Sequence, residues 1–236
     1  MNFTDAEINN FPQELKNDLI STGGRKVALT KSNTKQIYTS LDGVDYTVTD
    51  ENKEDIEKIK QEDLSKINAG QVSTMKMGSK EDGIWSGYGA LFFSGSSSNG
   101  TEYVYSYLTY FNWSDTPNFF FADKIAMSYQ NNATRTGSSG KYDFGTGNST
   151  LSINTSSIYG ISTSYSIPGP GYGYIKADVN IPKTQAGLTG LFNSAYGHPY
   201  LPSGISVSIA GYGSISLSGT GDKWYWDNTF TIGQAY

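Results

Sequence analysis

The chain has no cysteine, a single histidine and few charges for its length, with 17 Lys and Arg against 22 Asp and Glu in 236 residues. Without cysteine it forms no disulfides, no thiolate metal sites and no cysteine nucleophile. With His198 as the one histidine, a zinc site built on several histidines lacks its ligands. A Ser-His-Asp site would have to use that residue, yet no Gly-x-Ser-x-Gly elbow occurs in the chain. The net charge of −5 leaves no cationic surplus to neutralise phosphates, which argues against nucleic acid as a partner and against attraction to anionic membranes by bulk charge. No run of 18 apolar residues suits a transmembrane helix. A leader-type segment is not visible either: Met1 is followed by Asn2-Phe3-Thr4-Asp5, as in a mature exported protein restarted on an initiator methionine.

What is present divides into two compositions. Of the 39 charged residues, 22 lie within the first 70 positions, whereas 29 of the 33 aromatic residues and all four tryptophans lie after them. The expected organisation is a charged α+β segment over 1–70, a small, polar, Gly-bearing linker over 71–83, and a Gly/Ser/Tyr-rich antiparallel β domain over 84–236. Ile8, Phe11, Leu15, Leu19 and Ile20 fall at helical spacing, with Pro12 near the start of the helix proper and Gly23-Gly24 as its stop. Short strands are expected over 27–30, 36–41 and 46–49, with an Asp42-Gly43 hairpin turn. A second helix over 50–67 has Asp50 as its cap and a stripe of Ile56, Ile59, Leu64 and Ile67.

Beyond residue 83, apolar residues alternate with small polar ones between turn signals. The clearest case is 205–217, where Ile205, Val207, Ile209, Ile215 and Leu217 share one parity against serines on the other, as one strand or as two meeting at Gly211-Tyr212-Gly213. Comparable strands are expected over 84–93, 102–113, 118–130, 141–144, 150–154, 159–167, 174–181 and 224–232. The fold class read from this is mainly β: an antiparallel β-sandwich or barrel-like domain of about nine strands with a small α+β N-terminal segment.

The same parities sort the candidate chemistry. Trp224, Trp226, Phe230 and Ile232 share a face and read as core, leaving Tyr225 outward. Tyr103, Tyr105, Tyr107, Phe111 and Trp113 share a face of their strand, opposite Val104 and Leu108, and Tyr172 and Tyr174 oppose the apolar face of theirs. Rows of tyrosine offer amphipathic contact area, so Tyr105, Tyr107, Tyr172, Tyr174 and Tyr225 are the candidate ligand-binding residues. His198, in Tyr196-Gly197-His198-Pro199-Tyr200, reads as a loop residue. Among the acids, Asp123 and Asp178 lie within convincing strands and are the carboxylates to watch for glycosidase chemistry. No catalytic set, metal site or cofactor motif emerges, and the chain reads as a non-enzyme. The alternating stretch over 127–167 keeps contact with a membrane open.

The run Phe11-Pro12-Gln13-Glu14-Leu15, then Gly23-Gly24-Arg25-Lys26-Val27, Tyr38-Thr39-Ser40-Leu41-Asp42-Gly43 and Tyr46-Thr47-Val48-Thr49 resembles the start of mature secreted proteins of Bacillus and relatives. That set includes YolA-like proteins and geobacillin-type large, heat-labile bacteriocins, in which an acidic N-terminal segment precedes a Gly/Ser/Tyr-rich β region. The resemblance covers about 40 positions and carries over no functional residue. It implies secretion and an antibacterial protein acting on the envelope of related Gram-positive cells. The alternative is a secreted carbohydrate or cell-wall binding module without killing. Either way the expected partner is an envelope component or a glycan, and the 1–70 segment is a candidate mask for the β domain.

Overall fold

The structure is a computed structural model, and it describes residues 13–27, 31–70, 85–117, 121–130, 132–145, 147, 149–167 and 169–234. Residues 71–84, which include the expected linker, lie outside the described ones.

The elements follow from the local sequence. Helix α1 (Gln13–Thr22) ends at Gly23, whose φ of 64° places it in the left-handed region that closes a helix and whose N–H returns to Ile20; Ile8, Phe11 and Pro12 of the expected helix lie outside the described residues. Strands β1 (Arg25–Lys26), β2 (Lys31–Thr39) and β3 (Asp45–Val48) follow, the last two joined by the expected turn with Gly43 at φ 77°. Helix α2 (Lys53–Gly70) starts later than the sequence suggests. Its entry is organised by Asn52, which accepts from Thr49 N–H and donates to Thr47 O, rather than by Asp50.

The remaining strands are β4 (Trp85–Ser96), β5 (Glu102–Trp113), β6 (Asp123–Tyr129), β7 (Thr134–Asp143), β8 (Ser149–Thr150), β9 (Gly160–Tyr165) and β10 (Gly171–Pro182). After a single 3-10 turn come β11 (Thr189–Pro199), β12 (Ser206–Gly211), β13 (Ser214–Ser218) and β14 (Gly221–Thr231).

These strands form the expected antiparallel sandwich. Sheet A runs β1-β4-β5-β10-β7-β8 and sheet B runs β3-β2-β14-β11-β6-β9, so β2 and β3 share a sheet with the C-terminal strand. Between the sheets lies one aromatic-rich core that includes Leu91, Tyr105, Tyr107, Phe111, Trp113, Met127, Tyr196, Trp226 and Phe230. Trp224, Trp226, Phe230 and Ile232 point inward as their parity requires.

Sheet B carries a third layer on its outer face. Ile56 and Ile67 of α2 pack on Tyr38 and Tyr200. The β12–β13 ribbon, a two-stranded sheet of its own, lays Val207, Ile215 and Leu217 over Ala195 and Tyr225 and turns its serines to solvent. Trp85, Trp113, Tyr196 and His198 gather at one end of the sandwich, and Tyr103, Phe192, Tyr129 and Ile232 at the other.

Candidate tyrosine groove on the outer face of sheet A

β5 reverses the sequence expectation. Tyr105 and Tyr107, read as outward, are fully buried between the sheets, while Val104, Ser106, Leu108, Tyr110 and Asn112 form the outer face. The physical reason is satisfaction of the phenols inside the core: Tyr107 donates to Gln130 Oε1 at 2.7 Å, and Tyr105 OH accepts from Gly233 N–H at 2.8 Å. Burial pushes both phenols above the ordinary tyrosine value, so they stay neutral. Neither can meet a ligand without opening the core. Tyr225 lies outward as read, but beneath the β12–β13 ribbon, its hydroxyl accepting from Leu217 N–H at 3.1 Å. Tyr174 is buried in a cluster on the outer face of sheet A with Ala90, Phe92 and Leu108, and Tyr172 is half-buried beside it.

That outer face holds a site that the sequence reading missed. Tyr88 of β4 sits opposite Tyr110 of β5 in the register, with ring centroids 4.7 Å apart and planes 29° from parallel. Tyr110 in turn stacks on Tyr172 of β10, at 6.2 Å and 15°. Three strands therefore hold a rail of near-parallel rings, ring face toward ring face. The rail is largely enclosed: Tyr110 is 6% exposed and the Tyr88 hydroxyl is buried, so ring edges of the half-buried Tyr88 and Tyr172, rather than a flat stacking platform, are what it offers. Ser86 and Asn112, also paired in the register, extend the rail into a groove of about 460 Å³ lined by Ser86, Tyr88, Tyr110 and Asn112.

Among the described residues, every lining side chain is uncharged. Burial, with Tyr172 beside it, raises the Tyr110 phenol to about 12, so this group stays a neutral donor and acceptor. A rigid, neutral row of hydroxyl and amide groups on an apolar floor suits an uncharged, hydroxyl-rich ligand.

The two strand carboxylates do not meet. Asp178 faces outward on sheet A, accepting from Ser106 Oγ at 2.5 Å with Lys176 at 3.5 Å. Asp123 lies in the core, accepting from Tyr196 OH with its other oxygen 2.8 Å from His198 Nδ1. Trp113 Nε1 donates to Tyr196 OH at 2.8 Å, tying sheet A to this cluster. His198 is thus a fully buried residue of β11 rather than a loop residue, and the cluster joins the two sheets.

A second buried polar set docks α2. Lys60 pairs with Asp222 at 2.7 Å, Asp222 accepts from Tyr200 OH, and Asp63 accepts from Tyr38 OH at 2.8 Å and Leu41 N–H at 3.0 Å. Among the described residues, no group of three or more His, Asp or Glu is placed to hold a metal ion.

No family model matches the chain, and no curated protein matches it. Among solved structures, the collagen-binding domain from a Staphylococcus aureus adhesin is similar at 9% identity and a TM-score of 0.34, over 65% of this chain and 99% of that one. The groove's character therefore comes from its own residues.

Proposed function

We propose that this protein is an extracellular binding module that holds an uncharged glycan of the bacterial envelope along the groove of sheet A, without turnover. The observation that carries this reading is the Tyr88–Tyr110–Tyr172 rail with Ser86 and Asn112 beside it, fixed on the central strands of a rigid sheet. Strand-borne side chains lose little freedom on binding, and tyrosine supplies contact area with a hydrogen-bonding tip. The low charge and polar neutral strands of the β region agree with work outside the cell. The resemblance at residues 11–49 supports the finer reading that binding ends in the killing of related Gram-positive bacteria.

The deciding experiment is co-sedimentation with purified peptidoglycan and with neutral wall polysaccharides, comparing the wild type with Tyr88→Ala and Tyr172→Ala. Retention of the wild type and loss in both variants is expected. Equal retention of all three would remove the groove from the function. Spotting the protein on lawns of related spore-formers, with a heated control, tests the killing step separately. Binding without a clear zone would leave a wall-binding module and end the bacteriocin reading.

A further inference from the structure

The end of the sandwich away from the groove has a surface of a different kind. Ile158 is 67% exposed, Leu188 54% and Tyr212 41%, three of the five exposed large apolar side chains among the described residues. All three sit at tips at the Tyr129–Phe192 end. Ile158 is in the turn before β9, whose first residue pairs with Ser128 at the end of β6. Leu188 immediately precedes β11, four residues before Phe192, which is paired with Tyr129. Tyr212 tops the β12–β13 turn, where Gly213 N–H bonds Tyr129 O.

The tips are held firmly. Arg135 donates to the carbonyls of Thr155, Ser157 and Gly160 at 2.9–3.0 Å, fixing the loop that carries Ile158 and Tyr159. Tyr159 packs edge-on against Tyr212 at 4.8 Å. Ser128 Oγ and Asn193 Nδ2 donate to the carbonyls of Gly211 and Gly213 and hold the ribbon's turn.

Charge completes the picture. The connections that reach this end, over 97–101, 154–159, 183–188, 211–213 and 232–234, contain no Asp or Glu, although the chain as a whole carries −5; the acid beside them is Glu102, the first residue of β5, which accepts from Asn180 Nδ2 at 2.9 Å. Their one charged residue is Lys183, whose Nζ lies over the Tyr103 ring. The connections at the opposite end hold Asp42 and Asp115.

We infer that this end docks on the interfacial layer of a lipid bilayer, with Ile158, Leu188 and Tyr212 on its acid-free connections entering it. Aliphatic tips beside tyrosines match the boundary between headgroups and acyl chains. The alternative of a protein partner fits less well, because specific interfaces bury roughly 800 Å² a side and three tips on separate connections offer far less. The docked molecule would turn its glycan groove away from the bilayer, and the inference stands independently of that groove.

The test is flotation of the full chain with vesicles of phosphatidylcholine, alone and with a minor fraction of phosphatidylglycerol, for the wild type and for the Ile158→Ser/Leu188→Ser/Tyr212→Ser variant. All three positions are exposed, so the variant should keep the wild-type circular dichroism and melting temperature. Wild-type flotation that persists in high salt, and falls at least about tenfold in the variant, is the expected result, since apolar burial is not screened by ions. Absence of wild-type flotation on both vesicle types, or equal flotation of the variant, overturns the proposal. So does self-association of the wild type through these three positions when measured without vesicles. Tyr88→Ala should float like the wild type, which separates this outcome from any failure of the groove.

Discussion

Tyr110 joins the groove to the stability of the fold. Its phenol is raised from the ordinary value of 10 to about 12 by burial and by Tyr172 beside it. A raised folded-state value means that the contribution is fully present below pH 10, where the unfolded chain is also protonated, and is lost as pH rises towards 12. Two units correspond to roughly 2–3 kcal/mol from this residue. Tyr107, Tyr165 and Tyr196 are shifted in the same direction, chiefly by burial, so the losses accumulate. Tyrosinate absorbance should therefore appear in a cooperative step with unfolding above pH 10. A smooth titration of these phenols with circular dichroism unchanged would contradict the burial. Tyr110→Phe removes only the hydroxyl, and should weaken glycan binding about fivefold to tenfold, the net worth of one hydrogen bond, while raising resistance to alkali. Equilibrium binding and a pH melt of that one variant check both.

At the scale of the element, the sequence showed most of the strands and misjudged which face of β5 lies between the sheets. Trp224 and Trp226 alternate with smaller or charged residues, so their parity is decisive. β5 has rings on both parities, and the row read as a binding surface is the one whose hydroxyls find partners inside the core. Tyr88 and Tyr110 escaped notice because the rail exists only through the register of β4 on β5 and the pairing of β5 with the distant β10. β11 was missed for another reason: the run Tyr196-Gly197-His198-Pro199-Tyr200 reads as a loop. Its glycines are there because a Cβ at 190 would lie 2.3 Å from the Phe230 ring and one at 197 would lie 2.9 Å from Ile205. The Lys60–Asp222 contact was equally invisible, linking a helix to a strand across 162 positions. Lys60 is 8% exposed and Asp222 1%. Lys60→Ala strands a buried carboxylate and should cost about 3–5 kcal/mol, whereas Lys60→Met with Asp222→Leu should cost clearly less. Urea unfolding of the single and double variants measures the difference, and equal losses would show that the charges do not act as a pair.

For the whole molecule, the change in composition near residue 70 suggested a separable mask over 1–70, and the packing argues for a different behaviour. β2 pairs with β14 from Lys31↔Thr229 to Thr39↔Gly221, so it completes sheet B beside the strand carrying Trp224, Trp226 and Phe230. α2 then closes the outer face of sheet B through Ile56, Ile67 and the Lys60–Asp222 pair. A fragment over 84–236 would expose the backbone edge of β14 next to its largest aromatic side chains, the arrangement that invites edge-to-edge association. Cleavage within 71–83 should therefore leave two pieces that elute together at the mass of the intact chain and part only in denaturant. The 84–236 piece made alone should be aggregated or oligomeric by light scattering. If that piece were instead soluble, monomeric and as stable as the parent, residues 1–70 would be an accessory that can be shed, and unmasking would return as the route to activity. Co-elution would mean that the charged segment is part of the scaffold that holds the groove, and that regulation must act on the assembled molecule.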